Sequence, residues 1–333
     1  MTTPPLAQVP VRSAAELTRR GHGDRPAPRS TGPTGLGALP TPAATCSPPS
    51  TGPPDRTAVP VARGGPHRVP LAARAAVGQA GTVSGAAGPD LVLPSTGPDP
   101  IPLGTALAAV LGYARGRRPL RFRSPSHPEG RWVQVLAFGY ERFDCRARAE
   151  GPLGDDDVLA AEGLHGRLDP VGWAAVRTAL DDAGGLADAV TERAAGRPLW
   201  ELPDEEFSVL GEPGTVGASL RGIQDLGRGA VPAYVSAALH HRRPELFPLV
   251  GTTTRRQLLP HVEEGDSGVE AVVHRELQAN AEAFAVLEAA VADVLGSTGG
   301  VSPTRLRLHD VLVWASGSLR MTHAVSLGAR AAR

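Results

Sequence analysis

Ser267–Val294 reads SGVEAVVHRELQANAEAFAVLEAAVADV, and its apolar spacing decides the fold class. Val273, Leu277, Asn280, Phe284, Leu287, Val291 and Val294 recur at steps of 4, 3, 4, 3, 4 and 3. Such steps keep one face of a 3.6-residue helix turned toward a partner. Ser267 and Glu270 form the S-x-x-E pattern of a capping box, which satisfies two orphan backbone donors at a helix start. The stretch predicts one long helix. Asn280, the single Asn of the chain, interrupts the stripe and needs a partner if buried.

Helix signals continue on both sides. Ser302 and Pro303 cap a last helix that carries Leu306, Leu308, Val311, Leu312, Val313 and Trp314, apolar almost all round and therefore central. Asp169 before Pro170 is an N-cap with Pro at the first helical position. It opens a helix over Val171–Asp182 that is expected to end at Gly184 and Gly185, with short helices over Leu186–Ala195 and Leu202–Leu210. Asp155–Asp157 place negative charge on another first turn. LGTALAAVLGYARG from Leu103 predicts the first helix, and Arg131–Phe143, with no clean period, an irregular or short-strand segment. The expectation is an all-α or nearly all-α fold, an orthogonal helical domain over 101–325.

Residues 1–100 differ in kind. They hold 19 of the 33 Pro and none of the 13 aromatic residues. A segment with nothing large to bury cannot offset the entropy of ordering itself. It is expected to be a disordered Pro/Gly-rich tail, or an extension upstream of the true start of the chain.

All 34 basic residues are Arg, so Schiff-base catalysis and a P-loop lysine are excluded. Residues 101–333 carry 25 Arg against 29 acidic residues, which argues against a globally basic surface but allows a local patch. The densest patch is Arg115, Arg117, Arg118, Arg121 and Arg123, with Arg131 close behind. Cys46 and Cys145 make neither a disulfide framework nor a metal cluster, and no apolar run nears the roughly 18 residues of a membrane span. A cytoplasmic protein without membrane contact, metal or cofactor is expected.

Leu220–Leu239 (LRGIQDLGRGAVPAYVSAAL) holds a turn with a physical mechanism for binding. Gly227 and Gly229 flank Arg228 between two apolar segments, and such a GxG turn can aim backbone N–H groups at a phosphate. Arg242, Arg243, Arg255 and Arg256 follow. Together with Gly227, Arg228 and Gly229 they form the candidate site of a non-catalytic helical domain for an anionic partner, nucleic acid or another anion. A second reading is an enzyme on a helical scaffold using His240, His241 or His309 with a carboxylate. A third is a protein-interaction module in which the stripe through Phe284 and Leu287 pairs two copies. His309 beside Asp310 points about 100 degrees away from it, and Glu270 with His274 reads as an ordinary i, i+4 pair. The acidic groups Asp155–Asp157, Asp204–Glu206 and Glu263–Asp266 read as solvated helix starts or loops.

The segment GIQDLGRGAVPAYVSAALHHRRPELFPLVGTTTRRQLL, with the closing LRLHDVLVW, resembles a family of uncharacterised actinobacterial proteins classed as a domain of unknown function, over about Arg131 to Leu319. More distantly, its layout resembles the helix-hairpin-helix DNA glycosylases, whose hairpin and helix lead into a segment bearing a catalytic aspartate. Here that place falls on Val250 or Gly251, neither a carboxylate, and the accessory lysine is absent. The resemblance implies a helix-hairpin-helix-like element without glycosylase chemistry.

Overall fold

The computed structural model describes residues 88–331 apart from 211–213 and 298. The described residues are mostly helical. The helices are α1 (Leu103–Arg115), α2 (Tyr140–Phe143), α3 (Asp155–His165), α4 (Pro170–Ala194), α5 (Val216–Gln224), α6 (Val231–Arg242), α7 (Thr252–Leu258), α8 (Val269–Ala279), α9 (Ala281–Gly296), α10 (Arg305–Gly317) and α11 (Met321–Ala331). One antiparallel ribbon, β1 (Arg117–Ser124) and β2 (His127–Leu136), joins α1 to α2. Of the segment Arg131–Phe143, expected as irregular or a short strand, residues 131–136 belong to β2 and Tyr140–Phe143 form α2.

The helix end expected at Gly184 and Gly185 fails, and with it the separate short helix expected over Leu186–Ala195. Asp169 caps α4 as expected, its Oδ1 accepting from the Gly172 amide at 2.6 Å. Gly184 and Gly185 do not end the helix, because Val176, Ala179, Leu180, Ala183, Ala187, Val190 and Ala194 continue one buried face through them. Burial of that face outweighs the roughly 1 kcal/mol cost of each glycine. By contrast, the helix expected over Leu202–Leu210 is replaced by a single 3-10 turn at 204–207, after another at 199–201.

The long stripe is broken instead at Asn280. This residue separates α8 from α9, and its amide grips the chain 188 residues earlier: Oδ1 accepts from the Val92 amide at 2.7 Å and Nδ2 donates to the Val92 carbonyl at 2.8 Å. Leu91 and Ile101 pair backbone to backbone, and Leu91, Leu93 and Ser95 are buried. Residues 88–100 therefore belong to the helical domain, which corrects the boundary expected at 101. The rest of the expected tail, 1–87, lies outside the described residues. Phe284 and Leu287 are 0 % exposed, so the stripe packs within the domain and the reading in which it pairs two copies is overturned. The capping box is also revised. Gly268 holds the N-cap position of α8, and the Ser267 hydroxyl donates to the Glu270 carboxylate at 3.0 Å.

The last helix lies against the first through small residues. A Cβ added to Gly112 would meet the Ala324 backbone, and one added to Gly328 the Ala108 backbone, so α1 and α11 approach to a distance that only glycine permits. Among the described residues no helix is long and apolar enough to cross a membrane.

These glycines separate in a stability measurement. Gly112→Ala is expected to cost about 1–3 kcal/mol by overpacking. Gly184→Ala, where nothing lies within 4 Å of the new Cβ, is expected to stabilise by about 0.5–1 kcal/mol. Urea unfolding of both variants checks the pair; equal effects would contradict the packing.

Candidate functional site

The centre of the domain is α10, whose buried face includes a guanidinium. Arg307 is 3 % exposed. Its Nε donates to Asp144 Oδ1 at 2.8 Å, Nη1 to Asp310 and Nη2 to the Tyr113 hydroxyl. That hydroxyl donates to Asp144 Oδ2 at 2.6 Å, and the Thr254 hydroxyl donates to Asp310 Oδ1 at 2.9 Å. The Tyr113 and Phe143 rings lie 5.0 and 5.2 Å from the guanidinium carbon. Burial works against the charge on Arg307, but Asp144, Tyr113 and Asp310 outweigh it and hold the guanidinium firmly protonated. Burial also raises Tyr113 and Asp310 above their usual ranges. One arginine thus ties together α1, the end of α2, α7 and α10.

A cavity of about 230 Å³ opens beside this cluster, where the segment Ala137–Gly139 leaves the ribbon. Arg307 and Asp310 line it together with His165, Phe138 and Trp314. Burial pushes His165 down to about 4, so its ring is neutral at physiological pH. Its Nε2 meets the Ala233 carbonyl at 3.1 Å, which makes that nitrogen the N–H donor and leaves Nδ1 as an acceptor. Nothing in the spacing of residues 113, 165 and 307 announced this convergence.

The three histidines expected for catalysis are structural neighbours of backbone and core. His240 Nδ1 bonds the Phe247 carbonyl at 2.8 Å, and burial lowers its pKa to about 4. His241 Nε2 bonds the Arg146 carbonyl at 3.1 Å, and its Nδ1 is buried without a partner. His309 Nε2 lies 2.6 Å from Glu276 Oε2, yet the Glu276 carboxylate also accepts from the Ser95 amide and hydroxyl, each at 2.8 Å. The 480 Å³ cleft that Glu276 borders does not include His309. This pair holds the 91–101 segment in place, with the His309 ring buried behind Glu276. His309 and Asp310 do not bond each other, as their adjacency on a helix implied.

The seven residues of the expected anion site divide between the two ends of α6. At its start the turn after α5 carries Gly227 and Gly229, both at positive φ (75° and 63°), with Arg228 exposed between them. Arg255 reaches the same end, donating to Gln224 Oε1 at 2.9 Å, and Arg256 beside it is exposed. At the far end Arg242 pairs with Asp157 and donates to the carbonyls of Ala149, Gly151 and Pro152, while Arg243 is exposed. The 12 residues of α6 put roughly 17 Å between the two groups. Asp157, expected as a solvated cap, is fully buried by that pairing, and Glu206 is likewise held by Arg193 and the Val216 amide.

The ribbon collects what the turn does not. Arg117, Arg118, Arg121, Arg123 and Arg131 are all exposed on it, against one acidic residue, Glu129. Register pairs Arg121 with Trp132 on one face and Phe122 with Arg131 on the other. Phe122 is 57 % and Trp132 65 % exposed. Every residue of β1 is open to solvent or nearly so, so neither aromatic ring has a core to fill.

Two consequences are measurable. Arg307→Ala strands two buried carboxylates and is expected to cost about 3–5 kcal/mol in denaturant unfolding; a loss under about 1 kcal/mol would contradict the cluster. His165 and His240, held neutral by burial, bind fewer protons in the folded than in the unfolded chain between the ordinary value of 6.5 and about 4. Their contribution to stability is therefore fully present above pH 6.5 and falls as the pH drops through that window. Imidazole NMR titration should find both rings neutral at pH 5, and protonation near pH 6.5 would contradict their burial.

No curated protein and no solved structure matches the chain. A family profile does, over residues 134–317, a span that starts within β2 and ends with α10, taking in Asp144, Thr254, Arg307 and Asp310. With more than half of its residues matched, the chain belongs to the family of unknown function DUF6308.

Proposed function

We propose that the domain binds single-stranded nucleic acid through the Arg-rich ribbon. The observation that carries this reading is the segregation of charge and exposed aromatic surface. Five of the 25 Arg and one of the 29 acidic residues in 101–333 stand on the ribbon, leaving 20 against 28 in the remainder. A polyanion would be attracted to one projection and repelled by the body that bears it. Arginines along an exposed strand also discourage edge-to-edge aggregation. That role explains the charges but gives no reason for Phe122 and Trp132 beside them. Unpaired bases stack on such rings whatever their identity, while neighbouring arginines follow the phosphates.

The turn with Gly227, Arg228 and Gly229, joined by Arg255 and Arg256, supports a second and lesser contact of helix-hairpin-helix type. Arg243 stands apart from it, and Arg242 is already committed to Asp157.

Fluorescence anisotropy with a labelled oligothymidylate tests the reading. Five phosphate contacts predict a log-log salt slope of about −3.5. Trp132→Ala should weaken binding by about 1–3 kcal/mol. The double variant Arg228→Ala, Arg255→Ala should change affinity less than Arg118→Ala, Arg121→Ala. Undetectable binding at about 50 mM salt, or no salt slope, would overturn the proposal.

A further inference from the structure

The cavity at the foot of the ribbon is lined by residues distinct from the exposed arginines and aromatics of the ribbon itself. Its volume of about 230 Å³ corresponds to about seven or eight waters, enough for one ring with a short substituent and too little for a dinucleotide. Phe138 and Trp314 meet edge to face with centroids 5.7 Å apart and give it an aromatic wall. Two cations that form no ion pair among the described residues line it. These, Arg142 and Arg320, are both exposed, and the Arg320 guanidinium lies 5.6 Å from the centre of the Trp314 ring. Deeper in, Arg307 is shared between Asp310 and Asp144, so the positive charge open to the cavity is that of Arg142 and Arg320.

Gly251 supplies a second, separate observation. It lines the cavity with φ −79° and ψ 170°, a conformation open to any residue, so the backbone does not require glycine there. A side chain at this position would enter open space, the nearest atom to an added Cβ being His165 Cε1 at 3.8 Å. What glycine provides is room.

We infer that this cavity binds a small aromatic carboxylate, its ring against Phe138 and Trp314 and its carboxylate held by Arg142 and Arg320. A charge-assisted hydrogen bond to each guanidinium accounts for selection of the anion, and the ring wall for selection of a flat molecule.

Isothermal titration of the full chain with benzoate, and with benzamide as the uncharged match, tests the inference. Benzoate should bind at one site and benzamide at least tenfold more weakly. Arg142→Ala and Arg320→Ala, both at exposed positions, should each weaken benzoate about tenfold without lowering the unfolding midpoint. Gly251→Leu should abolish binding while circular dichroism stays unchanged. Equal binding of benzamide, benzoate binding that survives Gly251→Leu, or no binding of benzoate at millimolar concentration would each overturn the inference. Ribbon variants such as Trp132→Ala should leave the benzoate titration unchanged, which separates this site from the proposed nucleic-acid contact.

Discussion

A charged group in the middle of a helical core must be completely partnered, and in this domain the group is Arg307. Removing a guanidinium from water costs several kcal/mol, recovered only where the geometry satisfies its donors. Asp144, Asp310 and the Tyr113 hydroxyl satisfy them from three directions, and Thr254 completes Asp310. Because these partners come from α1, the end of α2, α7 and α10, the ion cluster sets how those elements meet. Apolar contacts tolerate small shifts of α10 against its neighbours, whereas the hydrogen bonds of a buried ion are lost by them.

That constraint reaches the ribbon and the cavity. Tyr113 sits just before the ribbon and Asp144 just after it, so the same guanidinium fixes both feet of the hairpin. A two-stranded ribbon is marginal in water on its own, and one whose first strand buries nothing depends on its anchorage. The cavity is bounded by the same cluster. One buried arginine thus anchors a cationic, aromatic ribbon and lines the open space at its base.

Much of the helical order was legible in the sequence. The Asp169–Pro170 start, the Asp155–Asp157 first turn, the helix from Leu103 and the nearly apolar last stretch all correspond to elements, because local propensity and burial agree there. The failures fall where a distant contact decides. Asn280 ends a helix because Val92, far away in the chain, offers its backbone; Gly184 fails to end one because its neighbours are buried. The strand Arg117–Ser124 carried no alternating pattern, since neither of its faces meets a core. The candidate site was half visible. The cluster of arginines could be counted, but that Phe122 and Trp132 stand beside them in the open depends on pairing across the turn. The convergence of Tyr113, His165, Thr254 and Arg307 on one cavity has no local signature at all.

Hydrogen exchange read by mass spectrometry, with and without a saturating single-stranded oligonucleotide at low salt, tests the central claim most directly. The account predicts new protection concentrated in peptides spanning residues 117–136, with little change across 231–243. Protection confined to the α5–α6 turn and α6, or none anywhere while the oligonucleotide is bound, would contradict it.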